Sequence, residues 1–176
     1  MSGHNKWSKI KRQKEKTDSQ KSKIFGKMVR LITVEAKKVG GNVNSPGLKN
    51  AIDRAKAANV PSDNIDRAVK KFSEGGASME AITYEAYGPG GCAIVIEALT
   101  DNRNKAAQEI KFILSKHGFA LAGIGAASWA FTRTPEMEWV AQTTIPLSDE
   151  DGEKLGLLVD ELEENDEVQD VFTNAE

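Results

Sequence analysis

The residues that most clearly indicate a chemical role are the cations near the start of the chain. Ten lysines and arginines fall between positions 6 and 30: Lys6, Lys9, Lys11, Arg12, Lys14, Lys16, Lys21, Lys23, Lys27 and Arg30. Such cations contact phosphates and release their counterions, which is the main source of affinity for nucleic acid. Trp7 lies among them and either stacks on an unpaired base or packs this segment against the rest of the protein. The alternative interpretation of the whole run is a solvated, solubilising tail.

A second candidate is the polar run formed by Asp101, Asn102, Arg103 and Asn104. It follows an apolar strand pattern and opens a helical one, so Asp101 or Asn102 is suited to cap the helix. Arg103 is a cation within an otherwise acidic part of the chain. The run is therefore either a capping structure or a contact loop for RNA or a protein partner.

Few residues of the types used in catalysis or metal binding are present. The chain has two histidines, His4 and His117, and one cysteine, Cys92. Their spacing matches neither a metal site nor a set of nucleophile, base and acid. The glycine-rich run at 88–91 joins two strand patterns, which favours a hairpin turn over a phosphate-binding loop. We expect a protein that is not an enzyme and has no cofactor, no metal and no small-molecule substrate.

The charges are segregated along the chain. Residues 1–76 contain 18 Lys and Arg against 7 Asp and Glu, a net charge of +11. Residues 77–176 contain 6 against 19, a net charge of −13, so the total of −2 conceals the asymmetry. We predict one domain, residues 1–76, that meets a polyanion, and a second, residues 77–176, that avoids it or contacts protein.

The sequence also bears on location. It contains no run of 18 apolar residues, and its polar start lacks the apolar segment of a secretory signal. The single cysteine excludes an intrachain disulfide and fits a reducing compartment. We expect a cytoplasmic protein without a membrane partner.

The elements that must position these residues begin with a helical half. After a basic tail, apolar residues from Ile24 onward follow helical spacing as far as the glycine pair at 40–41. Two further helices are predicted, with apolar stripes of Leu48, Ala51, Ile52 and Ala55, and of Ile65, Ala68, Val69 and Phe72. Three short amphipathic helices must bury these stripes against one another, which predicts a three-helix bundle.

After residue 77 the apolar period changes from 3.6 to 2. We predict strands at 82–87, 92–99, 128–132, 138–145 and 168–172, with helices at 101–116 and from residue 148. Without the first strand, this order is the ferredoxin-like βαββαβ arrangement, with both helices on one face of an antiparallel sheet. The extra strand at 82–87 should pair with the next one through the glycine-rich turn. The predicted fold class is α+β.

Several motifs, in order along the chain, resemble the YebC family, which includes the mitochondrial translational activator of cytochrome c oxidase. They are MSGHNKW at 1–7, KIFGK at 23–27, AIDRA at 51–55, YEAYGPGG at 84–91, LTDNRN at 99–104 and EVQDVFTN at 167–174. The resemblance implies a non-enzymatic protein of the bacterial cytoplasm or of organelles. Some members are named DNA-binding transcriptional regulators, and others look like ribosome-associated translation factors. It also implies a helical domain followed by two α/β domains, one inserted within the other.

The chain departs from that family plan by its length. Residues 129–134 pass almost directly into residues 135–140, where the resemblance implies an inserted domain. The remaining pieces still complete a βαββαβ domain. We therefore predict a short form that lacks the inserted domain, with the junction at Thr134-Pro135.

Three functions remain open at this point. The first is a DNA-binding transcriptional regulator, although no cluster of Arg, Asn and Gln is arranged to read base edges. The second is a ribosome-associated translation factor, because a Lys-rich tail with one aromatic suits ribosomal RNA. The third is a protein–protein adaptor in which the basic tail folds back onto the acidic domain.

Overall fold

The computed structural model describes residues 18–74, 78–135 and 138–176. The described residues divide into two compact units, with the boundary between residues 79 and 80. We call them the helical unit and the α/β unit and describe each by itself. Among the described residues, no helix has the length and apolar character needed to cross a membrane.

The helical unit contains three helices, α1 (Asp18–Lys38), α2 (Pro46–Ala57) and α3 (Ser62–Lys70), and a short 3₁₀ turn at Lys71–Ser73. Their buried side chains form one core: Ile32, Ala36, Leu48, Ala51, Ala55, Val60, Ile65 and Ala68. The predicted three-helix bundle is thus confirmed. Proline at the first position of α2 fits because that position needs no N–H donor.

Ile52 and Val69 pack against this core, and Phe72 is the one member of the two predicted stripes that does neither. It falls beyond the end of α3 and is 42% exposed. Its ring lies against Gly41, which lies in the loop after α1 and has a φ of +77°. A Cβ added to Gly41 would lie 2.5 Å from Cε1 of Phe72, so glycine is required here by both conformation and space.

We expect Gly41→Ala to lower the free energy of unfolding by about 1–3 kcal/mol, from backbone strain and the clash with Phe72. Gly40→Ala is the matched control, since Gly40 has φ of +58° but no atom within 4 Å of an added Cβ. Urea denaturation of both variants separates the two causes. Equal losses in the two variants would show that the Phe72 contact contributes nothing.

The α/β unit is built on a four-stranded antiparallel sheet in the order β3-β1-β2-β6. The strands are β1 (Glu80–Tyr87), β2 (Ala93–Thr100), β3 (Leu121–Ala122), β4 (Phe131–Arg133), β5 (Trp139–Ala141) and β6 (Val168–Thr173). The helices are α4 (Arg103–Lys116) and α5 (Asp149–Glu164). The predicted fold class, α+β, is confirmed.

Both faces of the sheet are covered, and β2 lies at its centre. Ile94 and Ile96 of β2 pack against α4 and α5 on one face. Ala93 and Val95 pack on the other face against Phe131 and its neighbours in the β4–β5 hairpin. A strand covered on both sides becomes a nearly continuous apolar run, which explains the sequence from Ala93 to Leu99.

The strand pairing corrects the predicted ferredoxin-like sheet. β4 and β5 do not join the main sheet but form a two-stranded sheet of their own. The physical reason is that β1 occupies the edge of β2 that the third strand of a βαββαβ sheet would use, and β6 occupies the other edge. The hairpin therefore packs on the face of the sheet, and the two-residue strand β3 extends the edge.

The turn between β1 and β2 agrees with its predicted role. Pro89–Gly91 forms one 3₁₀ turn, in which Gly90 and Gly91 have positive φ. Beyond it the strands pair from Tyr87↔Ala93 to Glu80↔Thr100. The interpretation of the glycine-rich run as a hairpin turn is confirmed.

Candidate nucleic-acid interface

The predicted phosphate-contacting residues divide into two groups. Those nearest the start lie outside the described residues: Lys6, Trp7, Lys9, Lys11, Arg12, Lys14 and Lys16. The remaining four lie in α1: Lys21, Lys23, Lys27 and Arg30. Their role in binding therefore stays a prediction, and the structure gives the position of the second group.

Three of these cations form a stripe along α1. Lys23, Lys27 and Arg30 are spaced by four and three residues, which places them on the same side of a helix. The same geometry places the core residues Ile32 and Ala36 on the opposite side. Lys23 is exposed, and Lys27 and Arg30 are half-buried. We call these three residues the α1 stripe; Lys21 lies on a different side of the helix.

The helical unit that carries this stripe is positively charged. Residues 18–74 contain twelve Lys and Arg against six Asp and Glu, whereas residues 80–176 contain six against nineteen. The two units therefore repeat the asymmetry of the whole chain. A phosphate backbone is attracted to the first and repelled by the second.

A surface groove of about 530 Å³ lies on the helical unit. Three lysines, Lys49, Lys56 and Lys70, line it together with Asp53 and Asp66, and Ile52, Ile65 and Val69 supply apolar surface. A site for phosphates alone would exclude carboxylates and would not need aliphatic side chains. This groove, which we call the α2–α3 groove, is chemically mixed.

The polar run at 101–104 caps α4. Asn102 is the capping residue, and its side-chain oxygen accepts a hydrogen bond from the Lys105 N–H at 3.1 Å. The Thr100 hydroxyl, which is buried, accepts from the Asn102 N–H at 2.9 Å and fixes the turn. Asp101 and Asn104 are exposed.

Arg103 differs from the capping residue Asn102 in its side-chain contact. Its side chain is 68% exposed, and its Nε lies 3.4 Å from a carboxylate oxygen of Glu80. An ion pair between two exposed side chains contributes little to stability. The run therefore combines a capping residue with an exposed cation.

We expect Arg103→Ala to weaken nucleic-acid or partner binding while changing the free energy of unfolding by less than about 0.5 kcal/mol. Asn102→Ala is the matched control and should lower the free energy of unfolding by about 1 kcal/mol through loss of the cap. Thermal denaturation and binding are measured on both variants. A large loss of stability in Arg103→Ala with unchanged binding would contradict a contact role.

The residue types associated with catalysis lie in structural positions. Cys92 is fully buried, and burial raises the pKa of its thiol to about 11, so it stays protonated. His117 follows the last turn of α4, with its Nε2 2.7 Å from a carboxylate oxygen of Glu161. Within residues 18–74, 78–135 and 138–176, no group of His, Cys, Asp and Glu could hold a metal ion.

One buried carboxylate, that of Glu85, is not evident from the sequence. Glu85 lies on β1 opposite Ala122 of β3, and it is only 5% exposed. Its carboxylate accepts three backbone N–H groups, from Gly125 at 2.6 Å, Ala127 at 3.0 Å and Ser128 at 2.6 Å. Burial alone would raise the pKa of this carboxyl, but the three N–H donors and the Ser128 side chain outweigh it and hold the pKa below its ordinary value.

The loop that Glu85 holds presents apolar side chains to solvent. Tyr87 donates its hydroxyl to the Ala126 carbonyl and accepts a hydrogen bond from Nε1 of Trp129 at 2.9 Å. Trp129 is nevertheless 61% exposed, and Ile124 at the tip is fully exposed. We call residues 123–129 the Ile124 loop. The two glycines at 123 and 125 were the only sequence signal for it.

The family of the chain follows from its match to family models. Residues 5–75 match the TACO1/YebC protein N-terminal domain, and residues 79–138 and 133–175 match the TACO1/YebC second and third domain. The chain belongs to the TACO1/YebC family. The predicted resemblance is thus confirmed along both units.

Several TACO1/YebC relatives and one solved structure are similar over the whole chain. A Desulforamulus reducens protein is 37% identical over 240 positions, covering 100% of this chain and 99% of that protein. A Petrotoga mobilis protein is 42% identical over 185 positions, covering 100% and 71%. Both are named probable transcriptional regulatory proteins. The crystal structure of a conserved hypothetical protein from Aquifex aeolicus has a TM-score of 0.82 at 30% identity, covering 98% and 97%.

The TACO1/YebC relatives also show where this chain is short. The alignment with the Desulforamulus protein runs over 240 positions, whereas this chain has 176 residues. The family model of the second and third domain matches in two pieces that overlap at residues 133–138, where the chain passes from β4 to β5. This break places the additional sequence of the longer relatives at the hairpin.

Proposed function

We propose that this TACO1/YebC-family protein is a non-enzymatic regulator of gene expression that acts in the cytoplasm by binding the phosphate backbone of nucleic acid. The observation that carries the proposal is the α1 stripe on a helical unit with a twofold excess of cations over carboxylates. The names of the relatives, probable transcriptional regulatory proteins, support the regulatory part.

The expected mode of binding follows from the residue types. Lysine and arginine at Lys23, Lys27 and Arg30 follow a phosphate backbone, which gives affinity and position but no direct choice of sequence. The six cations of positions 6–16 add further phosphate contacts. The α/β unit, with its nineteen carboxylates, faces away from the polyanion or contacts protein.

Duplex DNA is the first candidate partner, because the relatives are named as transcriptional regulators. Ribosomal RNA is the second, and a specific observation favours it. Trp7 lies within the Lys-rich segment, and an aromatic beside cations stacks on the unpaired bases that RNA loops expose. A translation factor bound to the ribosome would use the same residues.

The test is sedimentation of the protein with ribosomes from lysate at 50 and 200 mM salt, with retention on duplex DNA measured in parallel. A nuclease-treated lysate and a protein lacking residues 1–23 serve as controls. Salt-sensitive sedimentation with ribosomes that requires residues 1–23 would support the translation function. Absence from ribosomes at 50 mM salt, with retention on DNA, would support the transcriptional function. Absence from both would overturn the proposal.

A further inference from the structure

We propose that the α2–α3 groove binds unpaired nucleotides of an RNA loop, with bases on its apolar lining, phosphates on its lysines and ribose hydroxyls on its carboxylates. The inference rests on the proposed function, because it names the kind of nucleic acid that the helical unit recognises. It adds contacts with bases and sugars to a binding mode that otherwise uses phosphates alone. The observation that carries it is the combination of three kinds of surface in one groove.

Each of the two helices gives the groove a side on which apolar and charged residues recur at spacings of three and four. The apolar members lie deepest, since Ile65 is buried and Ile52 and Val69 are half-buried, whereas the charged members are exposed. The volume of about 530 Å³ lies in the range of about 300–1,000 Å³ that is usual for small-ligand sites, so a nucleotide fits. The recurring residues are Lys49, Ile52, Asp53 and Lys56 on α2, and Ile65, Asp66, Val69 and Lys70 on α3.

The charged side chains of the groove do not neutralise one another. Among residues 18–74, none of the three lysines and two aspartates of the groove forms an ion pair. The lysines can therefore donate hydrogen bonds to a ligand, and the aspartates can accept them from it. A nucleotide supplies the partners of both, because its phosphate accepts hydrogen bonds and its ribose hydroxyl donates them.

The two carboxylates favour RNA over DNA. In a site that contacted phosphates alone, Asp53 and Asp66 would weaken binding by repulsion. A carboxylate accepts a hydrogen bond from the ribose 2′-hydroxyl, which DNA lacks, so the same two residues strengthen the binding of RNA. The excess of cations in residues 18–74, twelve against six, favours a polyanion over a peptide as the occupant.

Phe72 supplies an aromatic ring beside the groove. It follows Lys70 by two residues, and its ring lies against Gly41, two residues before Val43. Lys70 and Val43 both line the groove, and Phe72 is 42% exposed. Unpaired bases stack on aromatic side chains that lie next to cations. An exposed ring outside the core is therefore suited to bind a base that leaves the stack in an RNA loop.

The sign of the aspartate effect tests the inference with the full chain. Fluorescence anisotropy at 0.1 M salt compares a labelled single-stranded RNA, a DNA of the same sequence, and the RNA paired with its complement. Replacing Asp53 and Asp66 together by alanine should weaken the binding of single-stranded RNA about tenfold, because hydrogen bonds to charged groups are lost. Electrostatic attraction alone predicts the opposite, since the variant carries less negative charge. Its affinity for the DNA and for the duplex should not fall.

Two further variants complete the experiment. Asp63→Ala is the matched control, because Asp63 is an exposed aspartate in the first turn of α3 that does not line the groove, and it should not lower the affinity for RNA. Phe72→Leu should weaken the binding of single-stranded RNA about fivefold or more, and Phe72→Tyr should keep it, because only an aromatic ring stacks on a base. Thermal denaturation of each variant shows that the fold is intact.

Three results would overturn the inference. They are an Asp53 and Asp66 double variant that binds single-stranded RNA at least as tightly as the original chain, a Phe72→Leu variant with unchanged affinity, and equal losses with single-stranded and duplex RNA. If the original chain binds nucleic acid and the groove variants match it, this inference fails and the proposed function stands. An original chain that binds neither RNA nor DNA would remove both.

Discussion

Replacing Lys23, Lys27 and Arg30 together by glutamine is expected to weaken nucleic-acid binding by about 10²-fold or more at 0.1 M salt. Each phosphate contact contributes a slope of about −0.9 to the plot of log K against log salt, so one contact is worth about tenfold at that concentration. The variant should therefore lose about three such contacts and should show a shallower salt dependence. The measurement is fluorescence anisotropy with a labelled duplex DNA and a labelled structured RNA at several salt concentrations.

The control for this variant uses cations of the α/β unit. Lys111 and Lys154 are exposed lysines on α4 and α5, and their replacement by glutamine should leave the affinity and the salt slope unchanged. If six to ten cations of the original chain meet phosphates, its affinity should fall by roughly 10³–10⁵ between 50 and 200 mM salt. A triple variant that keeps the original slope would remove the α1 stripe from the interface.

Glu85→Ala should produce a large loss of stability in the α/β unit. It removes the acceptor of three backbone N–H groups, and the Ala127 donor lies in a buried contact. A buried donor left without a partner costs about 1–3 kcal/mol, so the free energy of unfolding should fall by about 3 kcal/mol or more. Glu80→Gln, an exposed position on the same strand, should change it by less than about 0.5 kcal/mol.

The same carboxylate predicts an acid-sensitive fold. Because its pKa is lower in the folded protein, Glu85 contributes stability that is complete above its pKa in the unfolded chain, about 4.3. That contribution is lost as the pH falls through the unfolded-state pKa toward the folded-state pKa. Glu85→Gln should therefore be less stable than the original chain at pH 7 and should approach it at acidic pH. Denaturation at pH 7 and below pH 4 checks this, and parallel pH profiles would contradict it.

The helical unit could be predicted closely because its information is local. The stripe containing Leu48, Ala51 and Ala55 repeats at three and four residues, and it is buried as that spacing requires. Phe72 departs from the pattern because α3 ends before it, and the residue that meets it, Gly41, lies in another loop. Contacts between distant loops leave no trace in a local period.

The sheet shows the same limit in a different way. Alternation predicted β1 and β2, and the glycine-rich turn predicted their pairing. Alternation of apolar residues predicts a strand but not the strands that pair with it. The sequence therefore did not indicate that β1, rather than β5, pairs with one edge of β2. The short strands β3, β4 and β5 carry two or three residues each, too few to establish a period.

The candidate site also combines features set by local sequence with features set by contacts between distant residues. The spacing of the α1 stripe is local and could be predicted, as could the cap at Asn102. The buried position of Glu85 could not be predicted, because a glutamate in an alternating strand usually faces solvent. Its three donors lie about forty residues further along the chain and meet it only through the pairing of β1 with β3.

The β4–β5 hairpin has a consequence for how the family diversifies. Phe131 pairs with Ala141, and the Thr134 N–H donates to the Glu138 carbonyl at 2.8 Å, so the two arms run side by side up to that point. A segment spliced in between them leaves and returns at neighbouring positions and disturbs neither the four-stranded sheet nor its two helices. A domain can therefore be gained or lost here while the rest of the α/β unit keeps its fold. The same position is suited to the insertion of a reporter domain, because the two ends of the insert would lie close together.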